Sequence, residues 1–302
     1  MSSDRFKGCL LGLALGDALG APFEGGLVER LLWRGIGKTR AGETRWTDDT
    51  QMSLDLAESL IAMGSLKLDD VALRFARSYR WSRGYGPGAA KLLKRIRRGD
   101  SWREANRSVF PDGSYGNGGA MRAPVIGLYC AGNGEALVVA ASDSARITHA
   151  HPLGIEGAVL VAASVARALT SSSPEETLAF SAGHCHERAF RERLDIARTW
   201  IQSDHRSEPD EVVRLLGHGM AATDSCVTAV YLGLRFQELP YLELLAFVRR
   251  CGGDVDTIGA MAGAIWGAAN GTEGLPAGAL RDLEQRTRLE AVAEALFHCQ
   301  PG

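Results

Sequence analysis

GGDVDTIGAMAGAIWGAAN, running from Gly252 to Asn270, is the stretch on which the reading of the fold turns. From Ile258 onward it is built of small and apolar residues, with Ala and Gly on more than one face of a 3.6-residue period. It lacks the alternation of a strand and is too short to cross a bilayer. Such a helix is expected only where other helices surround it. Apolar residues at helical spacing recur at 51–63, 71–79, 89–97, 137–144, 155–169, 174–184, 212–216, 225–236, 242–250 and 280–297, separated by short Gly, Pro or Ser breaks. Period-two runs are almost absent. The expectation is an all-α, compact multi-helix bundle forming a single domain over 1–302, with 171–174 and 203–209 as polar surface loops.

Composition narrows the function. In 302 residues, 45% of them apolar, there is material for a large core. The formal charge is −2, leaving no excess of positive charge to hold a nucleic-acid backbone; a small molecule or a protein is the expected partner. Cys9, Cys130, Cys185, Cys226, Cys251 and Cys299 are scattered without paired spacing, as buried reduced thiols of a cytoplasmic protein would be. Residues 8–19 imitate a secretory leader, but Asp4 stands in the would-be basic region and Asp17 interrupts the apolar part. A buried first helix is expected there, and no membrane span anywhere.

Two acidic clusters stand before helical patterns. Thr47, Asp48, Asp49 and Thr50 precede one; Asp254, Val255, Asp256 and Thr257, behind Gly252 and Gly253, precede the other. Helix capping explains one oxygen side chain at such a place, or two. Adjacent carboxylates exceed that need and repel one another unless a cation or proton lies between them. If the two clusters are halves of one site, their oxygen donors, with no His or Cys adjoining, favour Mg²⁺, Mn²⁺ or Ca²⁺ over Zn²⁺.

The loop GSYGNGGAMR, Gly113 to Arg122, is dense in glycine and lacks the Lys of a Walker loop. It is either a tight turn that needs glycine or a cradle of N–H groups for a diphosphate, with Tyr115 and Phe110 offering flat faces to a purine. Glu24 closes GDALGAPFE, either as a solvated loop charge or, in a metal site, as a general acid/base or an added ligand. His149, in THAHP, is either structural or a substrate contact. His184-Cys185-His186 lacks accompanying ligands and reads as structural.

GDALGAPFE, TDDT, GSYGNGGAMR, THAHPLG and GGDVDTIGAMAGAIWGA occur in the order seen in ADP-ribosylglycohydrolases, from about Phe6 to Ala269, and the chain resembles that family. The resemblance implies an orthogonal all-α fold and two divalent cations, Mg²⁺ foremost with Mn²⁺ as the alternative, holding the distal ribose of ADP-ribose. It implies Thr47, Asp48, Asp49, Asp254, Asp256 and Thr257 as metal ligands and Glu24 as the catalytic carboxylate. It also implies Gly113, Ser114, Tyr115, Gly116 and Asn117 as the loop that cradles the diphosphate and stacks adenine, with His149 and Phe110 as further contacts. GYGPG at Gly84 to Gly88 and the segment His218 to Ala222 are most similar to the branch acting on ADP-ribosyl-serine, poly(ADP-ribose) or O-acetyl-ADP-ribose. The expected partner is therefore an ADP-ribosylated protein or an ADP-ribose derivative, met by a monomer. The arginine-directed branch and a non-catalytic, ADP-ribose-binding or crystallin-like relative are the alternatives.

Overall fold

The computed structural model describes residues 1–170, 172–203 and 205–300. Seventeen α-helices follow one another among them. The first nine are α1 (Ser3–Gly20), α2 (Leu27–Ile36), α3 (Asp48–Met63), α4 (Leu68–Ser78), α5 (Pro87–Arg97), α6 (Trp102–Val109), α7 (Ala123–Tyr129), α8 (Gly134–Arg146) and α9 (Pro152–Ala168). Then come α10 (Pro174–Ala182), α11 (Arg188–Gln202), α12 (Pro209–Leu215), α13 (Ala222–Arg235), α14 (Tyr241–Cys251), α15 (Val255–Asn270), α16 (Ala277–Asp282) and α17 (Arg286–His298). Three single-turn 3₁₀ helices lie between them, and β pairing among the described residues is limited to isolated bridges.

The core is organised on α15 and α9. Every residue of α15 from Val255 to Ala269 is buried, beneath α1, α9, α13 and α14, so the helix read as surrounded is surrounded. Around α9 stand α7, α8, α10 and α13. The stretch Ser3–Phe23 is long and apolar enough to cross a bilayer, yet most of it is buried here against α15 and α17.

The contact between α1 and α15 is made of backbone. Gly8, Gly12 and Gly16 recur every four residues on α1, as do Gly259, Gly263 and Gly267 on α15, and the helices run antiparallel. A Cβ at Gly12 would lie 2.3 Å from the Gly263 carbonyl oxygen, and one at Gly267 would lie 2.0 Å from that of Gly8. Where real side chains need about 3.4 Å, only glycine allows this approach. At the end of the seam a Cβ on Gly20 would fall 2.6 Å from the Asp256 Cα. The seam thus carries the chain leading to Glu24 onto the start of α15.

Some elements depart from the sequence reading. The expected helix at 280–297 is two, because Leu283 is extended and Gln285 adopts φ 52°. Glu284 between them is held by Arg83, by the Trp46 indole and by the Thr44 carbonyl, which together outweigh helix continuation. α6 is only eight residues long and starts on a Ser101–Glu104 capping box, and it, α2 and the charged α11 were not among the helices expected from the sequence. Of the expected surface loops, Ser171 and Asp204 lie outside the described residues.

Candidate active site

The two acidic helix starts, far apart in sequence, line one cavity of about 240 Å³ with Glu24, Asp48, Asp49, Asp254, Asp256 and Thr257 on its walls. Each start is built differently. Thr47 caps α3, its hydroxyl accepting from the Asp49 N–H at 3.3 Å, which frees Asp48 and Asp49 in the first turn. Asp254 occupies the cap position of α15 without capping it. Its carboxylate instead accepts from Asn117 Nδ2 at 2.6 Å, and its N–H donates to the His218 carbonyl at 2.9 Å. Gly252 and Gly253, at φ 67° and 73°, turn the chain into this helix; a Cβ on Gly253 would meet the His218 carbonyl oxygen at 2.1 Å.

The electrostatics calls for positive charge. One carboxylate oxygen from each of Glu24, Asp254 and Asp256 lies within 4.8 Å of the others. Burial, followed by the neighbouring carboxylates, drives Asp48, Asp49 and Asp256 well above the ordinary carboxylate range; for Asp48 and Asp49 the contribution of Asp17 is foremost among those neighbours. For Asp254 burial acts the same way against hydrogen bonds from Asn117, Asp256 and Thr257. Asp49 Oδ2 is buried and has no hydrogen-bond partner among the described residues. Convergent hard oxygens, one of them orphaned, fit a divalent cation and suit Mg²⁺ or Mn²⁺ chemistry.

Beneath the site sits a residue the sequence reading passed over. Asp17, fully buried on α1, accepts from the Thr47 N–H, the Thr50 N–H and the Thr50 hydroxyl. It pins the first turn of α3 to α1. Burial moves its carboxyl up to about 6, against those hydrogen bonds. The signal was an Asp inside an apolar helix, which stays buried only when fully hydrogen-bonded. A second brace is Arg83, which pairs with Glu284 at 2.6 and 2.7 Å, donates to the Trp46 carbonyl at 2.7 Å and lies 3.7 Å over the Trp46 ring, next to Thr47.

On the other wall stand Ser114, Gly116, Asn117, Gly118, Phe110 and His149. The loop is tied down by Asn117 N–H to the Met220 carbonyl at 3.0 Å and Ala222 N–H to the Tyr115 carbonyl at 2.9 Å, so 218–222 is its partner. Gly118 packs on the His149 ring, where a Cβ would come within 2.5 Å. Buried Arg122 donates to the Thr148 hydroxyl at 2.9 Å, and that hydroxyl meets His149 Nδ1 at 2.8 Å. With the Thr148 hydrogen given to Nδ1, Nε2 carries the ring proton. Burial, and then the Arg122 charge, take His149 down to about 3, so the imidazole is neutral.

Thus Glu24, Asp48, Asp49, Phe110, Ser114, Gly116, Asn117, His149, Asp254, Asp256 and Thr257 come together on one cavity. Thr47 lines the cavity next to it, and Gly113 lines a third beside Phe110. Tyr115 is 59% exposed and packs edge-on against His151, with ring centroids 5.9 Å apart. His184, Cys185 and His186 fall in the connection between α10 and α11, away from this cavity. A larger cavity of about 660 Å³, around Trp200, His205 and Tyr231, is lined by Glu175, Glu238 and Glu243 together with Arg206 and Arg235, and among the described residues these carboxylates do not cluster as Glu24, Asp254 and Asp256 do.

Comparison with known proteins gives the family. Residues 2–302 match the model of the family described as ADP-ribosylglycohydrolase. ADP-ribosylhydrolase ARH3 of Mus musculus is 34% identical over 98% of this chain and 91% of its own length. The Homo sapiens protein of that name is also 34% identical, over 98% and 93%. ADP-ribosyl-[dinitrogen reductase] glycohydrolase of Rhodospirillum rubrum is 29% identical over 95% and 92%. A solved structure described as an ADP-ribosylglycohydrolase-related protein complex superposes with a TM-score of 0.72 at 29% identity, covering 99% of each chain.

Proposed function

The chain belongs to the ADP-ribosylglycohydrolase family, and from that footing we propose that it is a divalent-cation-dependent hydrolase that releases ADP-ribose from serine side chains. That it is an ADP-ribosyl hydrolase follows from the family; the metal, the acceptor and the residue roles are our reading. The observation that carries it is the convergence of Glu24 and both acidic helix starts on one cavity that also holds the glycine loop.

In this reading Thr47, Asp48, Asp49, Asp254, Asp256 and Thr257 hold two cations, Mg²⁺ first and Mn²⁺ second. When bound, such ions supply positive charge that polarises ribose hydroxyls and acidifies water. The protein's own groups do the rest. In the loop from Gly113 to Asn117 the N–H groups of Gly113, Gly116 and Asn117 are taken by Phe110, Ser114 and Met220, so the N–H groups of Ser114 and Tyr115, with the Nε2–H of neutral His149, hold the diphosphate. Phe110, braced by Gly88, offers its face to adenine. Glu24 moves the proton that the departing acceptor or the attacking water requires as the anomeric carbon gains oxocarbenium character. Asn117, read from the sequence as a loop contact, also orients Asp254, which couples the diphosphate wall to the cation wall.

We further read the chain as one monomeric catalytic domain of the cytoplasm, supported by six unpaired cysteines, five of them buried. The test is release of free ADP-ribose from serine-linked and arginine-linked ADP-ribosyl peptides in Mg²⁺, Mn²⁺ or EDTA. Cleavage of the serine peptide, abolished by EDTA, is expected. Cleavage of the arginine peptide alone would overturn the acceptor, cleavage in EDTA the metal dependence, and cleavage of neither the hydrolase reading as stated.

A further inference from the structure

A second cavity, of about 210 Å³, meets the first at Glu24 and Gly84, which line both. Leu32, Trp33 and Ile36 of α2 form one side, and Trp81 stands opposite. Among the described residues Glu24 is the one ionisable group on its lining. The outside of α2 is also unusual. Val28, Leu31 and Leu32, spaced i, i+3 and i+4, are 76%, 67% and 53% exposed, and Trp81 is 71% exposed. Leu32 belongs both to this outward stripe and to the cavity wall, so the apolar surface runs inward toward Glu24. Large apolar side chains grouped in this way mark a docking surface more often than a solvated one.

Resting on the hydrolase reading above, we infer that this second cavity is the acceptor subsite, and that it takes a peptide segment carrying an apolar residue beside the modified side chain. The occupant follows from position. With ADP-ribose along the glycine loop and His149, the glycosidic bond is presented at Glu24, and the acceptor leaves on the side away from the diphosphate. That side is the cavity between α2 and Trp81. Among the described residues its walls carry neither an added carboxylate nor a cation to select a charged neighbour, whereas two indoles and two branched aliphatic chains select apolar area.

The experiment uses two ADP-ribosyl peptides, modified on whichever residue the first assay selects and identical except for Leu or Gly beside it. kcat/KM is measured for each with the full chain and with Leu32→Ser and Trp81→Ala, exposed positions where folding is tolerant. ADP-ribose affinity is measured alongside by calorimetry. The wild type should prefer the Leu peptide by about tenfold, the worth of burying part of one aliphatic side chain. Both variants should lose that preference while ADP-ribose binds as before. A wild type indifferent to the flanking residue, or variants that keep the preference, overturns the subsite. So does a concentration-dependent dimer in sedimentation that either variant dissolves, since a second copy would then cover the stripe. Failure of the wild type to release ADP-ribose from either peptide overturns the hydrolase reading itself, and the subsite with it.

Discussion

Replacing Gly16 by alanine would put a methyl carbon 2.0 Å from the Gly259 carbonyl oxygen and 2.3 Å from its carbonyl carbon. Ordinary contact begins at 3.4 Å, so the helices would have to part by about 1.4 Å at that point. No side-chain rotation relieves the clash, because the obstacle is main chain. Overpacking of a tight core costs about 1–3 kcal/mol, and a backbone obstacle belongs at the upper end. The helical preference of alanine over glycine returns about 0.5–1 kcal/mol, leaving a net loss of about 2–2.5 kcal/mol. Unfolding entropy near 2.1 cal/mol/K per residue makes that a fall in Tm of about 3–4 °C for a chain of this length. Activity should suffer more. The seam fixes Glu24 against Asp256, and about 1 Å of misplacement costs roughly a hundredfold in rate. The assay is calorimetric melting plus ADP-ribose release, with Gly35→Ala on α2 as control, where an added Cβ meets nothing within 4 Å. A Gly16→Ala protein that melts and turns over like the wild type would refute the seam as the element aligning the site.

Four more outcomes are expected. Glu24→Gln should still bind ADP-ribose but lose about 10²–10⁴ in kcat, as removal of a general acid/base does; near-normal turnover would take Glu24 out of the chemistry. Asp17→Asn, which cannot accept from all its donors, should weaken Mg²⁺ binding about 10–100-fold by titration calorimetry, and unchanged affinity would make Asp17 purely structural. Glu284→Ala leaves the Arg83 guanidinium buried and unpaired and should cost about 3–5 kcal/mol in chemical denaturation; a loss below about 1 kcal/mol would show the pair to be dispensable. Asp55, buried on α3 beside Gln51 and Ser78, is pushed up to about 7, mainly by burial. The folded state then holds a proton that the unfolded state has released between about pH 4 and pH 7, so stability should fall as pH rises through that window, by at most about 1.4 kcal/mol per pH unit. With Mg²⁺ saturating, Asp55→Asn should show a flatter dependence of Tm on pH than the wild type. Parallel curves would exclude Asp55 as the group responsible.

Much of this was legible because it depends on local pattern. The fully buried α15 announced itself through Ala and Gly on every face, and α3 through an acidic start followed by apolar spacing. The cavity residues were readable as types, since paired carboxylates before a helix exceed what capping requires. What could not be read was long-range. The split at Leu283 to Gln285 depends on Arg83 and Trp46, two hundred or more positions away. Asn117 was placed in the diphosphate loop, but its bond to Asp254 is a tertiary fact. α2 carries apolar residues at helical spacing that the reading did not use, and what its sequence could not show is that this stripe faces outward and not into a core.

The glycine spacing of α1 and α15 also has a bearing on how the chain can go wrong. A slide of one residue along the seam would drive side chains into carbonyls, but a slide of four would reseat glycine on glycine about 6 Å away. The seam behaves as a ratchet with teeth one helical turn apart, and it does not choose among them. The choice is made elsewhere: Asp4 clasps the Thr272 N–H and hydroxyl at one end, and the Tyr241 hydroxyl donates to the Gly12 carbonyl at 2.5 Å midway. Loosening those latches would leave a neighbouring tooth within reach, in a form well packed along its centre yet with Glu24 stranded a full turn from Asp256. Such a form would keep its helical spectrum and much of its melting transition while doing no chemistry.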